Sequence, residues 1–448
     1  MCGIVGVYSK EPVARDLFYG LNTLQHRGQE SCGLAVSHGK DMHCHKGMGL
    51  VQEVFREDIL KTLTKGNVGI GHVRYSTAGG STEFNTQPLL GFSKGNRVAM
   101  AHNGNLINSQ LLRTRLEEDG MMFQTTIDSE VILYLISRYY NGDMVEAVEK
   151  TMSYIKGAYS VVILMEDTLV AFRDPYGFRP LVMGKRGDDY IFASETGVID
   201  VLGGEFVRDI EPGEIVIVKD GEMKTHITSQ IAPMSSCIFE HIYFARTDAI
   251  LDGVNTYEFR VKTGEILAKE HKVDADIVVP VPDSGWPGAI GFSKESGIEV
   301  KEGLVKNRYM GRTFIKPTQK EREIAVKLKL NPIAQVVKGK KVVLVDDSIV
   351  RGTTSKRLIQ SIRAAGAKEV HMRITSPPVT HPCYFGIDTP RRKSLIAANS
   401  TVEEIREEIG ADSLGFISID GLREAAGKDY KFCKACFDGE YPLDPCVL

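Results

Sequence analysis

The chain has 448 residues, 42% of them hydrophobic and 25% charged, with a formal net charge of −3. That is the composition of an ordinary globular protein long enough for two or three domains, and its near-neutral balance gives no general pull toward nucleic acid. Eight cysteines are too sparse for a disulfide scaffold, and neither an export signal nor a run of membrane-helix length is visible, so reduced thiols, a cytoplasmic location and no membrane partner are expected.

Up to about residue 235, short alternating strands mix with amphipathic helices. GIVGVYS from residue 3, SCGLAVSHG from 31, VGIGHVRYST from 68 and RVAMAHNG from 97 read as strands broken by glycines. DSEVILYLISRYY from 128 and MVEAVEKTMSYI from 144 carry apolar residues at helical spacing. In EIVIVKDGEMKTHI, Asp220-Gly221 between two strand-like runs signals a hairpin. The pattern is α+β, sheets covered by helices, and the polar stretch SQIAPMSS at 229–236 reads as a linker.

Beyond it the character changes to α/β. DADIVVPVPDSG from 274 leads into a buried-type strand. From residue 340, KKVVLVDDSIVRGTTSKRLIQSIRAAGAKEVHMRI gives strand, glycine-containing turn, helix and strand. Val342 to Val345 form the kind of continuous apolar run that sits inside a parallel sheet, and Gly366 suits the end of the helix. This is a βαβ unit. A Cys-bearing tail, FCKACFDGEYPLDPCVL, closes the chain, so the expected division is 2–235, 236–420 and 421–448.

Chemistry concentrates at three places. If Met1 is removed, Cys2 carries both a thiol and a free α-amine of pKa about 7.7–8.0, a base beside its own nucleophile; a small residue that position two merely tolerates is the plainer reading. In HNGN at 102–105, the Asn103 amide and the Gly104 N–H make a reasonable oxyanion pair for an attacked carboxamide. Arg74 suits a substrate α-carboxylate and Asp128 its α-ammonium, although the letters alone also read as a turn for HNGN and a helix N-cap for Asp128. In VVLVDDSIVRGTT, Asp346 and Asp347 emerge at a strand end, followed by Ser348, Arg351, Gly352, Thr353 and Thr354 at a helix N-terminus. Hydroxyls, a cation and a flexible backbone there suit phosphate, and the carboxylates beside it call for Mg²⁺ and ribose hydroxyls. Ser284 follows another strand. The cationic run around Gly311, with Lys306, Arg308, Arg312, Lys316, Lys320 and Arg322, is either a solvated face or a lid over pyrophosphate.

The residues around Cys2, with QHRGQES at 25–31, resemble the N-terminal-nucleophile (Ntn) glutamine amidotransferases, and VVLVDDSIVRGTT resembles the phosphoribosyl pyrophosphate (PRPP) loop of type I phosphoribosyltransferases. In order, MCGI, LQHRGQES, GHVRYSTAG, HNGNL, RDPYGFRPL, FEHIYFAR, KNRYMGRTFI and VDDSIVRGTT resemble the glutamine PRPP amidotransferase family over nearly the whole chain. The resemblance implies an αββα Ntn-hydrolase domain followed by a type I phosphoribosyltransferase domain. It implies an enzyme that makes 5-phosphoribosylamine, glutamate and pyrophosphate from PRPP, glutamine and water, the first committed step of purine synthesis. By it, Cys2 is the glutaminase nucleophile, Asn103 and Gly104 form the oxyanion hole, and Arg74 and Asp128 bind glutamine. Ser284, Asp346 and Asp347 are the Mg²⁺-linked positions, the loop from Ser348 to Thr354 takes the 5-phosphate, and Lys306, Arg308, Tyr309 and Arg312 belong to the lid. Only Met1 precedes the nucleophile, so its trimming suffices.

Cys433 and Cys436 form a lone C-x-x-C, weak evidence of a metal by itself. In the family's iron–sulfur branch, Cys237, Cys383, Cys433 and Cys436 are the matching ligands of a 4Fe-4S cluster; zinc uses the same donors, and Cys446 lies close enough in sequence to substitute. Cys32 and Cys44 match no ligand position. The resemblance further implies ammonia passing between coupled sites, inhibition by purine nucleotides and a homotetramer. Two other readings are open to the sequence: a sugar-phosphate amidotransferase, against which VDDSIVRGTT speaks, and a non-enzymatic PRPP-binding regulator, which would not need MCGI and HNGN.

Overall fold

The computed structural model describes residues 1–76, 79–307, 330–389, 391–427 and 429–445. In the first half, two antiparallel sheets lie face to face. Gly3–Tyr8 is the middle strand of a seven-stranded sheet, between Asp189–Ala193 and Val68–Arg74. Asn96–Leu106 pairs with Gly157–Met165 inside a six-stranded sheet. Period-two alternation sends Ile4, Ala35 and Ile70 of the first sheet against Ala99, Ala101, Val162 and Leu164 of the second. The opposite faces are apolar too, and helices cover them. Leu17 and Leu21 of Ala14–Thr23 join Val5, Val7 and Val73, and Val131, Ile132 and Val148 of Ser129–Tyr139 and Met144–Tyr154 join Met100, Val161 and Ile163. Each such fully buried side chain contributes roughly 1.5–3 kcal/mol, which is what makes four layers stable. The hairpin at Asp220 and Gly221 forms as its sequence implies, both residues having positive φ (54° and 78°).

The second half holds a four-stranded parallel sheet in the order Ile277–Pro280, Lys341–Asp346, Glu369–Ile374, Ser413–Phe416. Alternation again sorts its faces: Val278, Val343 and Val345 meet Phe259, Ile266 and Phe292 of the helices Thr256–Glu270 and Gly285–Ser296, whereas Val342, Leu344 and Met372 meet Leu358, Ile362 and Ile405 of the helices Thr353–Ala364 and Val402–Ile409. Between the halves the chain makes a π-helical turn over Glu240–Phe244, which no sequence pattern announced. The tail folds back on this junction, Ser236–Cys237 pairing in parallel with Phe432–Cys433. Among the described residues no helix is long and apolar enough to cross a membrane.

Candidate active sites

Cys2 stands at the head of the central strand Gly3–Tyr8 and is buried. Its backbone N donates to Asn103 Oδ1 at 3.2 Å, its carbonyl accepts from Arg27 Nε at 2.9 Å, and its Sγ lies 3.5 Å from the Tyr75 carbonyl oxygen. Burial raises the pKa of the thiol, opposed by the nearby terminal ammonium and Arg74 and reinforced by Asp128. Arg74 and Asp128 therefore both lie within electrostatic reach of the thiol, with opposite effects.

HNGN is not a turn. It runs inside the strand Asn96–Leu106, and a Cβ on Gly104 would stand 1.9 Å from the Ala158 oxygen of the neighbouring strand, so only glycine fits. Asn103 is fully buried, and among the described residues its Nδ2 has no hydrogen-bond partner. An unpaired buried donor costs about 1–3 kcal/mol, so it is informative that this one sits on the side chain that holds the Cys2 nitrogen. Asp128 precedes the helix Ser129–Tyr139 but does not cap it through its side chain; its Oδ2 instead accepts from the Leu106 N–H at 2.8 Å. Arg74 is buried, with Nη1 3.2 Å from the Gly80 carbonyl oxygen and 3.9 Å from Glu30 Oε2. The flanking His102 is held by Gln87, whose Oε1 accepts its N–H at 2.8 Å, and by Ser129 Oγ 2.9 Å from its Nδ1. Burial lowers its pKa, leaving it neutral.

The second site lies at the carboxyl end of the parallel sheet. Ser284 Oγ donates to Asp347 Oδ2 at 2.5 Å and Ser348 Oγ to Asp347 Oδ1 at 2.6 Å, so strand ends far apart in sequence converge on one carboxylate. Burial pushes both carboxyls up, and the Asp347 charge adds to the rise at Asp346. Gly352 adopts φ 73° to turn the chain into the helix Thr353–Ala364, which leaves Arg351, Thr353 and Thr354 exposed at its start. Lys306 pairs with Asp283 on the loop that carries Ser284. Arg308, Tyr309, Arg312, Lys316, Lys320 and Arg322 lie outside the described residues, as does Cys446.

Four thiols gather at the junction. Cys237 and Cys433 are register partners, and the Cys436 thiol is pushed up first by burial and then by Cys383, Cys433 and Cys237. None is in a disulfide. The Arg179 guanidinium lies beside Cys237 and Cys383. Among the described residues, no group of three or more His, Cys, Asp or Glu side chains is placed to hold a metal ion.

The segment after Cys383 packs on the amino-terminal half beside HNGN and Tyr75. The Tyr384 carbonyl accepts from Asn105 Nδ2 at 2.9 Å, Tyr75 Oη donates to Asp388 Oδ2 at 3.3 Å, and the Phe385 ring stacks on Phe178 with centroids 4.3 Å apart. Sequence reasoning missed these partners, and also Gln87 and Ser129, because each is an ordinary residue whose role comes only from where the fold brings it.

An Ntn-type double sheet with a buried cysteine at its head, joined to a parallel sheet with a paired-carboxylate loop, defines a glutamine amidotransferase fused to a phosphoribosyltransferase. Residues 72–200 match the family described as glutamine amidotransferase domain. The amidophosphoribosyltransferase of Methanocaldococcus jannaschii is 50% identical, the match covering 99% of this chain and 98% of that protein. That of Bacillus subtilis is 46% identical over 99% of this chain and 94% of its own. The solved B. subtilis glutamine PRPP amidotransferase, complexed with ADP and GMP, superposes with a TM-score of 0.94 at 45% identity, covering 100% of this chain and 98% of that one. The chain belongs to the amidophosphoribosyltransferase family of enzymes.

Proposed function

We propose that the chain converts PRPP, glutamine and water to 5-phosphoribosylamine, glutamate and pyrophosphate, with glutamine hydrolysed at Cys2 and the ammonia passed to PRPP at the parallel sheet. The observation that carries this reading is Asn103: its amide oxygen already holds the Cys2 nitrogen, and its amide nitrogen is buried without a partner among the described residues. Once Met1 is removed, that Cys2 nitrogen is an α-amine able to take the thiol proton as sulfur attacks the carboxamide. Negative charge then develops on the substrate oxygen, where Asn103 Nδ2 and the Gly104 N–H are its donors. Arg74 holds the substrate α-carboxylate and Asp128 its α-ammonium. Water hydrolyses the thioester, and the division into 2–235, 236–420 and 421–448 separates this chemistry from transfer.

In the second site, the loop Ser348 to Thr354 holds the 5-phosphate, and Lys306, Arg308, Tyr309 and Arg312 close over PRPP. Two neighbouring carboxyls that burial pushes up, Asp346 further raised by the charge of Asp347, are a fitting donor set for a divalent cation. Mg²⁺ bound there by Asp346 and Asp347, with Ser284, would neutralise pyrophosphate charge. The four thiols fit a 4Fe-4S cluster held by Cys237, Cys383, Cys433 and Cys436. Zinc uses the same four donors, and metal and sulfide analysis of the purified protein tells the two apart. The cluster would supply a cross-link between tail and junction. Purine nucleotides are the proposed inhibitors, as the ADP and GMP of the B. subtilis complex suggest, and a homotetramer the proposed assembly.

Glutamate release by anaerobically purified protein with Mg²⁺, with and without PRPP, tests the reading. Release that depends on PRPP and vanishes in Cys2→Ala supports it. Release indifferent to PRPP refutes the coupling of the two sites, and release that survives Cys2→Ala refutes the nucleophile.

A further inference from the structure

We infer that Glu240, supplied by the junction with the transferase half, is a positioning residue of the glutaminase centre, acting on Cys2 through Arg27. Arg27 and Glu240 are both buried. The Arg27 guanidinium faces two ways. Its Nε donates to the Cys2 carbonyl at 2.9 Å, while its Nη1 and Nη2 donate to Glu240 Oε2 and Oε1 at 2.9 and 2.8 Å, a two-pronged pair of fixed geometry. Glu195 takes a second Nη1 bond at 2.6 Å. The main chain that carries the nucleophile is thus hung on a guanidinium whose rotation is fixed mainly by a carboxylate from another part of the fold.

The same carboxylate is anchored toward the PRPP site. Glu240 opens the π-helical turn Glu240–Phe244. Arg260, on the helix Thr256–Glu270, clamps that turn by donating from Nε to the His241 carbonyl at 2.7 Å and from Nη2 to the Ala245 carbonyl at 2.8 Å. Arg260 is buried within electrostatic reach of Asp347, whose charge opposes the fall that burial imposes on its pKa. Buried hydrogen bonds therefore lead from Arg260, through the turn that Glu240 opens, to the backbone of Cys2, and the remaining step from Arg260 to Asp347 is electrostatic. Arg179 also donates to Glu240 Oε1 at 3.3 Å, but among the described residues the hydrogen bonds that lead from Glu240 to the reacting cysteine run through Arg27, so its loss alters how the sulfur is aimed and leaves glutamine binding by Arg74 and Asp128 alone.

The inference rests on Cys2 as the glutaminase nucleophile, and the test separates the two. Glutamine hydrolysis and ammonia-dependent transfer to PRPP are measured on the full chain carrying Glu240→Gln, which keeps the size and one acceptor but removes the charge. The expected result is a kcat for hydrolysis lower by about 10- to 100-fold, the range for a misaimed reacting group, with the KM for glutamine unchanged. Ammonia-dependent transfer, which bypasses Cys2, is expected to be preserved. Arg27→Lys gives the same pattern, and the double variant is no worse than either single one, because the two act as one unit. An unchanged hydrolytic kcat, a rise in KM alone, parallel loss of both activities, or multiplicative losses in the double variant would each overturn the inference. Arg27→Lys carries the test by itself if Glu240→Gln does not fold. Failure of the Cys2 assignment has a different signature: hydrolysis by the otherwise unaltered chain would persist in Cys2→Ala.

Discussion

Asn103→Ala is the substitution on which the glutaminase reading is most exposed. Among the described residues the side chain makes one hydrogen bond, Cys2 N to Oδ1 at 3.2 Å, and leaves Nδ2 buried and unpaired. Truncation loses that bond, about 1 kcal/mol, and some packing, but it relieves an unsatisfied donor worth about 1–3 kcal/mol, so the folded state changes by about 1 kcal/mol or less in either direction. The transition state has no such compensation. Loss of one oxyanion donor costs about 2.7–4 kcal/mol, a kcat lower by about 10²–10³. The assay is steady-state glutamate release beside a thermal melt: kcat falls by that factor, KM for glutamine holds, and the melting temperature moves by no more than about 2–4 °C. A kcat loss below tenfold, or a loss matched by a large fall in melting temperature, would mean that Asn103 is a structural residue and the oxyanion argument is wrong.

Two further outcomes follow from the same geometry. Glu195 is buried; burial raises its pKa, but His26 and Arg27 outweigh that and bring it down to about 2. A depressed carboxyl stabilises the fold above its unfolded pKa and loses that contribution as pH falls toward the folded value, here about 3 kcal/mol between pH ~5 and ~2; acid melts of Glu195→Gln should show a shallower loss of stability over that window, and equal slopes would contradict the ion-pair account. At Gly352, φ is 73° and a Cβ would meet Ile396 Cδ1 at 2.6 Å. Gly352→Ala should therefore cost about 1–2 kcal/mol and raise the KM for PRPP while the KM for glutamine stays put, whereas an unchanged KM for PRPP would remove this loop from the phosphate site.

The parts of the molecule legible in its sequence are those that a contiguous run of residues encodes. Gly3–Tyr8, the Asp220-Gly221 hairpin and the strand–turn–helix around Asp346 declare themselves through alternation and turn chemistry, and the structure forms each where its letters put it. HNGN and Asp128 were ambiguous for a physical reason: a turn or a cap uses the same small polar residues, and only the pairing of Asn96–Leu106 with Gly157–Met165 and the Leu106 N–H contact show that neither a turn nor a side-chain cap forms there. Arg27 lies within the quoted motif QHRGQES, yet nothing in the motif says what its guanidinium does. Its partners Glu195 and Glu240 are 168 and 213 residues away, and a buried charge has meaning only with its counter-charge in place. The π-helical turn that presents Glu240 has no sequence signature at all.

The parallel pairing of Ser236–Cys237 with Phe432–Cys433 sets an order of events in biosynthesis. Cys433 leaves the ribosome roughly 200 residues after Cys237, which at ~5–20 residues per second is a delay on the order of 10–40 s. Both antiparallel sheets are already synthesised by then, with Cys2 among the first residues to emerge. Any metal that needs all four junction thiols has to be captured after the sheets of both halves have been translated. A chain that stopped before Phe432 would still contain every strand of the Cys2 half, but not the pairing that seals its junction.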